Sequence, residues 1–423
     1  MSLPDIDIES KAQEVINTGG FWEFWMDTYH QKHIGDDTIA LEIPCANITP
    51  NITNSTGIST IQITGDSGDG KSHGVLMVGK MMGKYCDIQG MSSKFLFYLA
   101  KDGLLEPGTV RVLDDNRSDT NQWDLMKRNS TEFKTGYKYG TVMNQKAVNL
   151  QLPAGLTFVT TEVNAESEEE VLNRTDPIEV SGDIAKDLEI IEADTRRFRD
   201  DQAETDISTK IAICKRCWEI VKSNTYYVVW PKDVNIDWRE RDSKGRINHR
   251  NRNLMMDLMI AFTAISYKQR DHSMMEDGTI RVVVDKEDFD KARELYRAKS
   301  KQVTTKLTEQ ERRVVNYTAR HKRVLKSQAE KDLNIKPNRM SQLLHGKNSN
   351  SVKTMGIVDK VIGFRAEYEF EQTEVSSYDD CDQKSVERKS VKNFYLKYEG
   401  EPISAEPNDV TWPAQWVKHE HVT

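Results

Sequence analysis

Two apolar spacings share the first half of the chain. Between residues 57 and 180, short runs at 61–64, 109–115, 156–164 and 171–180 are separated by segments of other character. Among these, 74–82 carries an apolar stripe of helical period. Strands alternating with helices predict a parallel sheet with crossover helices. The stretch 140–152 alternates about Asn144-Gln145-Lys146, which predicts a hairpin. Ahead of this region, the aromatic cluster 21–29 and the apolar segment 36–46 predict a helical lead-in over residues 1–56, and the polar stretch 51–57 reads as a linker. Beyond it, the pattern predicts a helix over 213–221, a strand over 225–230 ended by Pro231, a charged loop over 236–249 and a long helix over 252–267.

The pattern changes again towards the C-terminus. Thr308 with Glu311 three positions on makes a capping box for one helix, and 325–333 predicts a second. Asn334-Ile335-Lys336 turns the chain into a third helix opening on Pro337. Met340, Leu343 and Leu344 then face inward, leaving Lys336, Asn338, Arg339, Gln342 and His345 outside. Residues 356–361 read as a first wing strand and 364–370 as its return. Residues 371–423 read as a polar tail.

Composition narrows the class. With 30% charged and 37% apolar residues over 423 positions, the chain has ample material for a core and room for several domains. No apolar run is long enough to span a membrane, and the acidic first residues lack the pattern of a signal peptide, so an intracellular protein is expected. Five cysteines then imply a reducing compartment rather than a disulfide framework. Cys214 and Cys217 read as a buried structural pair, and His30, His33 and Cys45 lack a fourth ligand for a metal site. The net charge of −8 is unevenly spread: residues 299–365 hold 16 Lys and Arg against 5 Asp and Glu, a local +11 that leaves −19 for the rest. A basic module on an acidic body predicts nucleic-acid contact in that module, hence DNA as a partner.

The sharpest chemistry follows the first strand. Gly65-Asp66-Ser67-Gly68-Asp69-Gly70-Lys71-Ser72 is the phosphate-loop pattern, in which backbone amides cradle phosphates. Lys71 is expected on the β- and γ-phosphates and Ser72 on Mg²⁺, so ATP and Mg²⁺ are the expected ligands. Asp114 and Asp115 end an apolar strand 43 residues after Lys71, where one acid holds Mg²⁺ and its neighbour polarises the attacking water. Thr161 and Asn164 stand at another strand end suited to orienting water.

The order of these motifs resembles AAA+ ATPases. Leu113-Asp114-Asp115, Trp123, Asn129, Leu152-Pro153 and Thr160-Thr161 look like the superfamily III helicases of small DNA viruses. Residues 172–180, with Arg174, are similar to the arginine-finger segment of MCM replicative helicases; so are Arg252-Asn253-Leu254 opening a long helix and the stretch 284–292. This resemblance covers residues 57–298 as a series of short motifs. It implies a hexameric ring with each nucleotide held between neighbours, Arg174 reaching the adjacent subunit's γ-phosphate and Arg252 sensing that phosphate. It also implies Lys146 on a hairpin gripping a DNA phosphate. The C-terminal module resembles winged-helix DNA-binding domains.

The expected fold class is therefore α/β: a three-layer AAA+ P-loop core with helical lid over 57–298, a winged helix-turn-helix over 299–370, and a tail over 371–423. The expected function is an ATP-driven DNA helicase of a viral, plasmid or other mobile element. An ATP-switched origin-binding initiator without unwinding activity is the alternative.

Overall fold

Asp7 caps the first helix by accepting from the Ser10 amide at 3.1 Å, and Gly19, at φ 85°, ends it. This helix opens a computed structural model that describes residues 7–65, 68–88, 98–99, 101–113, 120–143, 146–162, 175–180, 184–197, 203–238, 249–305, 307, 309–346, 356–361, 364–378, 384–398 and 414–418. Two compact units divide the chain: residues 1–165, 169–300 and 411–423 form the first, and 166–168 with 301–410 the second.

The first unit begins with α1 (Ile8–Thr18), α2 (Phe21–His30) and α3 (Asp37–Ile48). It continues through β1 (Thr60–Thr64), α4 (Lys71–Met82), β2 (Cys86–Ile88), β3 (Val110–Leu113), α5 (Thr120–Thr131), β4 (Tyr137–Met143), β5 (Lys146–Leu152), β6 (Thr157–Glu162) and β7 (Asp176–Glu179). Then come α6 (Ile184–Arg197), α7 (Ala203–Lys222), β8 (Tyr226–Val229), β9 (Val234–Trp238), α8 (His249–Ile265), β10 (His272–Met274), β11 (Ile280–Val283) and α9 (Lys286–Thr305). A parallel sheet in the order β2-β3-β6-β1-β7 lies at the centre. Ile61 and Ile63 of β1, with Thr60 and Gln62 between them, are all buried, as expected of a strand covered on both faces.

The lead-in helices belong to this core. Phe21, Trp22, Trp25 and Tyr29 bury one face of α2, where Trp25 stands 6.0 Å from Trp218 of α7 and Trp22 5.0 Å from Phe262 of α8. One apolar cluster joins these rings to β1, α4, β3 and β6. Burial of so much aromatic surface is worth several kcal/mol, about 1.5–3 per side chain, so the helices are integral to the unit.

The stretch 51–57 is not a free linker. Buried Asp257 of α8 accepts from Ser55 Oγ at 2.7 Å, from the Thr56 and Gly57 amides at 3.0 Å each, and from the Thr56 hydroxyl. Asn54 bridges to Val228 O at 2.7 Å, and Lys134 Nζ donates to Thr49 O and Ile52 O at 2.8 Å each. The side chains are polar because they bind one another's backbones, a pairing that spans some 200 positions and leaves no local trace. The region read as a charged loop over 236–249 likewise begins in strand, since β9 runs to Trp238.

The second unit comprises α10 (Glu309–His321), β12 (Arg323–Leu325), α11 (Lys326–Asp332), α12 (Pro337–His345), α13 (Ile357–Lys360), β13 (Arg365–Tyr378) and β14 (Lys384–Lys397). Its antiparallel sheet runs β12-β14-β13. Val314, Val315, Met340, Leu343, Leu344, Ile357 and Leu396 share its core. Two expectations fail here. Residues 357–360 are helical, because Ile357 and Val361 bury one face of a turn while Lys360 reaches buried Glu311 at 2.8 Å. Residues 371–397, read as tail, contain the outer part of a long two-stranded ribbon. A last strand, β15 (Ala414–Lys418), belongs to the first unit and pairs antiparallel with β9, with Trp416 5.6 Å from Phe289.

Candidate nucleotide-binding site

The phosphate loop leaves the carboxyl end of β1, which lies between β6 and β7 in the parallel sheet. Val180 N donates to Thr64 O at 2.7 Å, so the backbone following β7 closes over the exit. A Cβ on Gly65 would lie 2.5 Å from Val180 O, which is why only glycine fits. Gly68 at φ 100° and Gly70 at φ 88° hold left-handed conformations that fold the loop back on itself. Gly70 is the N-cap of α4 and offers no side chain to its first amides, leaving them as donors for an anion. Lys71 is buried and its Nζ donates to Gly65 O at 2.9 Å across the loop. Ser72 follows in the same turn with an oxygen of the hard kind that Mg²⁺ takes.

Register brings the neighbouring strand ends alongside. Ile63 is opposite Thr161, Thr64 opposite Glu162, and Leu113 opposite Thr160. Thr161 is buried. Glu162, the last residue of β6, accepts from Gln62 Nε2 at 3.2 Å. Asp114 and Asp115 follow Leu113 directly in sequence, but both lie outside the described residues, as do Asp66, Ser67, Asn164 and Arg174. Lys146 is the first residue of β5, its side chain outside the description. Arg252 is exposed on the first turn of α8. In the second unit, Lys336 and Asn338 are exposed at the start of α12, whereas half-buried Arg339 turns to Gln310 of α10 at 2.9 Å and Gln342 is half-buried.

Beside the loop, sequence reasoning missed a polar cluster. His33 and Asp36, between α2 and α3, meet α4 and α6 there. His33 Nε2 is 2.7 Å from Asp36 Oδ2, and its Nδ1 is 3.0 Å from His73 Nδ1. Lys186 Nζ donates to Asp36 Oδ2 at 2.8 Å and to Asp69 O, in the loop itself, at 3.4 Å. His33, His73, Lys186 and Asp69 border a cavity of about 310 Å³ lined also by Gly68, Gly70 and Asp187. Gly74 allows this close approach, since a Cβ there would sit 2.8 Å from the Tyr29 hydroxyl. Its place four residues after Gly70, on a helix otherwise rich in side chains, is the one signal that sequence offered. Among the described residues, no group of His, Cys, Asp and Glu is arranged to hold a metal ion. Nor is any helix among them long and apolar enough to cross a membrane.

The geometry is that of a phosphate cradle: glycines where backbones crowd, a buried lysine, uncapped helix amides and polar strand ends on one edge of a parallel sheet. A search of curated proteins finds no match. The profile of the MTBMA_p00010 P-loop domain matches residues 5–224, from the start of α1 to just past α7. That span takes in the lead-in helices as well as the sheet, in keeping with their common core. The chain therefore belongs to the MTBMA_p00010 P-loop domain family, and its first unit has the P-loop NTPase fold of a nucleotide-binding domain.

Proposed function

We propose that this chain is an ATP-driven DNA helicase or translocase of the AAA+ type, acting in the replication of a viral, plasmid or other mobile element. The observation that carries this reading is one chain joining a phosphate loop on a parallel sheet to a second unit of four helices and a three-stranded antiparallel sheet, whose helices fall in the basic stretch 299–365. The order α10-β12-α11-α12-α13-β13-β14 supports a winged helix-turn-helix in which a short helix stands where the first wing strand was expected, with α12 as the helix that meets DNA and Lys336 and Asn338 exposed at its start. Arg339 and Gln342 join that surface once Arg339 leaves Gln310.

Hydrolysis in this reading is an in-line attack of water on the γ-phosphate. Lys71 exchanges the Gly65 carbonyl for phosphate oxygens, the α4 amides take further ones, and Asp115 orients the water. Ser72 and Asp114 hold Mg²⁺, which supplies charge neutralisation when bound. Thr161, with Asn164, orients the water from the β6 end. Arg174 of a neighbouring copy in a hexameric ring completes the site, Arg252 senses the phosphate, and Lys146 grips DNA.

The test is ATPase activity with forked DNA. Stimulation by DNA together with strand displacement, both abolished in Lys71→Ala, supports a motor. Site-specific duplex binding with nucleotide but no unwinding refutes it and favours the initiator, a reading that Asp115, one methylene shorter than glutamate, also suits. A monomer under ATP analogue and forked DNA would refute the shared site.

A further inference from the structure

The ribbon of the second unit has two unlike faces. In the register of β13 with β14, Ala366 lies opposite Leu396, Tyr368 opposite Phe394 and Phe370 opposite Lys392. Leu396 is fully buried, and Ala366 and Phe394 pack against the unit's core. Two residues further out the same face leaves that core, with Tyr368 60% and Phe370 71% exposed. Tyr368 meets Phe394 edge-on at 4.7 Å, and Lys392 Nζ lies 4.2 Å from the Tyr368 ring centroid and 5.9 Å from that of Phe370. His345, at the end of α12, stands 6.3 Å from Phe394, and Lys326 Nζ 5.5 Å from it.

Glu367 and Glu369 are on the other face. Glu369 pairs with Arg323 at 2.9 Å and with Lys397, which also reaches Glu367 at 3.4 Å. The ammonium group over the exposed rings is that of Lys392, whereas Lys326 donates to Ser341 Oγ at 2.7 Å and pairs with Glu330 at 3.4 Å. A large exposed aromatic pair costs solubility and is not explained by the fold, whose core is complete at Leu396 and Phe394.

From this we infer that the Tyr368–Phe370 face is a stacking platform for unpaired bases of a single-stranded nucleic acid, with Lys392 taking a flanking phosphate. Rings carrying a cation match a ligand that has π faces and negative charge together, which unpaired nucleotides do. An apolar protein partner would match the rings but not the ammonium group over them. A duplex would match the charge, but its bases are already stacked and their faces closed. The platform goes beyond the duplex contact proposed for α12 and needs neither nucleotide nor the phosphate loop.

The experiment uses the full chain without nucleotide, and labelled oligo(dU) and oligo(U), which differ only in the sugar, with a duplex of equal length as control, at fixed salt. Tyr368→Ala and Phe370→Ala are each expected to lose roughly 5- to 150-fold in single-strand affinity while duplex affinity holds. Tyr368→Phe and Phe370→Tyr, which keep the ring, are expected to retain it. A preference between the two oligonucleotides assigns the sugar; binding of either supports the platform. Undetectable single-strand binding by the parent chain overturns the inference. So does an alanine variant whose single-strand affinity is unchanged, or self-association of the parent that vanishes in Phe370→Ala with no change in oligonucleotide binding, which marks a protein-docking face. Loss of both single-strand and duplex binding in a variant that melts like the parent overturns it as well. Failure of the α12 reading would show separately, as duplex binding indifferent to Lys336→Glu.

Discussion

Asp257 ties the entry of β1 to α8, and removing it gives a measurable test of how the phosphate loop is held. Its carboxylate accepts from Ser55 Oγ, both hydrogen donors of Thr56 and the Gly57 amide, and burial holds its carboxyl above the ordinary carboxylate range against those bonds. In Asp257→Ala the Gly57 amide keeps Ser55 Oγ at 3.0 Å, and the two hydroxyls can turn, but the Thr56 amide loses its acceptor. Hydrogen bonds to a charged acceptor are worth about 1.5–3 kcal/mol each, so with partial rescue the expected loss is about 3–5 kcal/mol. Asp257→Asn keeps the shape and one acceptor oxygen, and about 1–2 kcal/mol is expected. All eight tryptophans of the chain lie in the first unit, so selective tryptophan fluorescence during urea unfolding follows that unit alone. The next strand begins three residues after Gly57, and nucleotide affinity is expected to fall with stability. An alanine variant losing less than about 1 kcal/mol, or one no worse than Asp257→Asn, would refute the idea that this carboxylate anchors the loop strand.

Other outcomes follow from single contacts. Gly65→Ala places a Cβ 2.5 Å from Val180 O and is expected to cost about 1–3 kcal/mol with loss of nucleotide binding, whereas Gly68→Ala meets no atom within 4 Å and carries only left-handed strain of about 1–2 kcal/mol; equal effects in calorimetry would contradict the collision. Lys71→Ala is expected to weaken nucleotide binding roughly 10- to 150-fold by titration, the value of one charged contact, without lowering the melting temperature by more than a few degrees. Burial, aided by the Lys134 ammonium, pushes Lys222 down to about 7. The unfolded chain then binds the extra proton between about 7 and the ordinary lysine value of 10.5, so the first unit is expected to gain stability as pH rises through that window. Urea midpoints flat over that range, or Lys222→Met keeping the same slope, would exclude Lys222 as the source.

What could be read without coordinates was local. The phosphate loop is written in consecutive residues, and the parallel strands in short β-branched runs between helical stripes, so both were legible. Asn51 to Gly57 looked like a linker because the acceptor that organises it, Asp257, is 200 positions away in sequence from Gly57. His33 was weighed only as a metal ligand beside His30, since nothing in the chain announces Lys186 or His73 as its companions. Residues 357–361 failed for another reason: an apolar run of that length fits a strand or one helical turn equally, and Glu311 drawing in Lys360 decides it. Burial of aromatic residues by partners on α7 and α8 similarly turned a lead-in into core.

The strand β15 changes the mechanics of the chain. Because residues 414–418 return to β9, the second unit is an insertion held by covalent connections at both ends, not a pendant on one. A protease cut in the connection before it leaves it attached as long as the five-residue β9–β15 ladder holds, and a cut in the connection after it leaves it joined through the chain itself. Trp416 against Phe289 and the buried Ala414 are the side chains that seat this returning strand on the first unit.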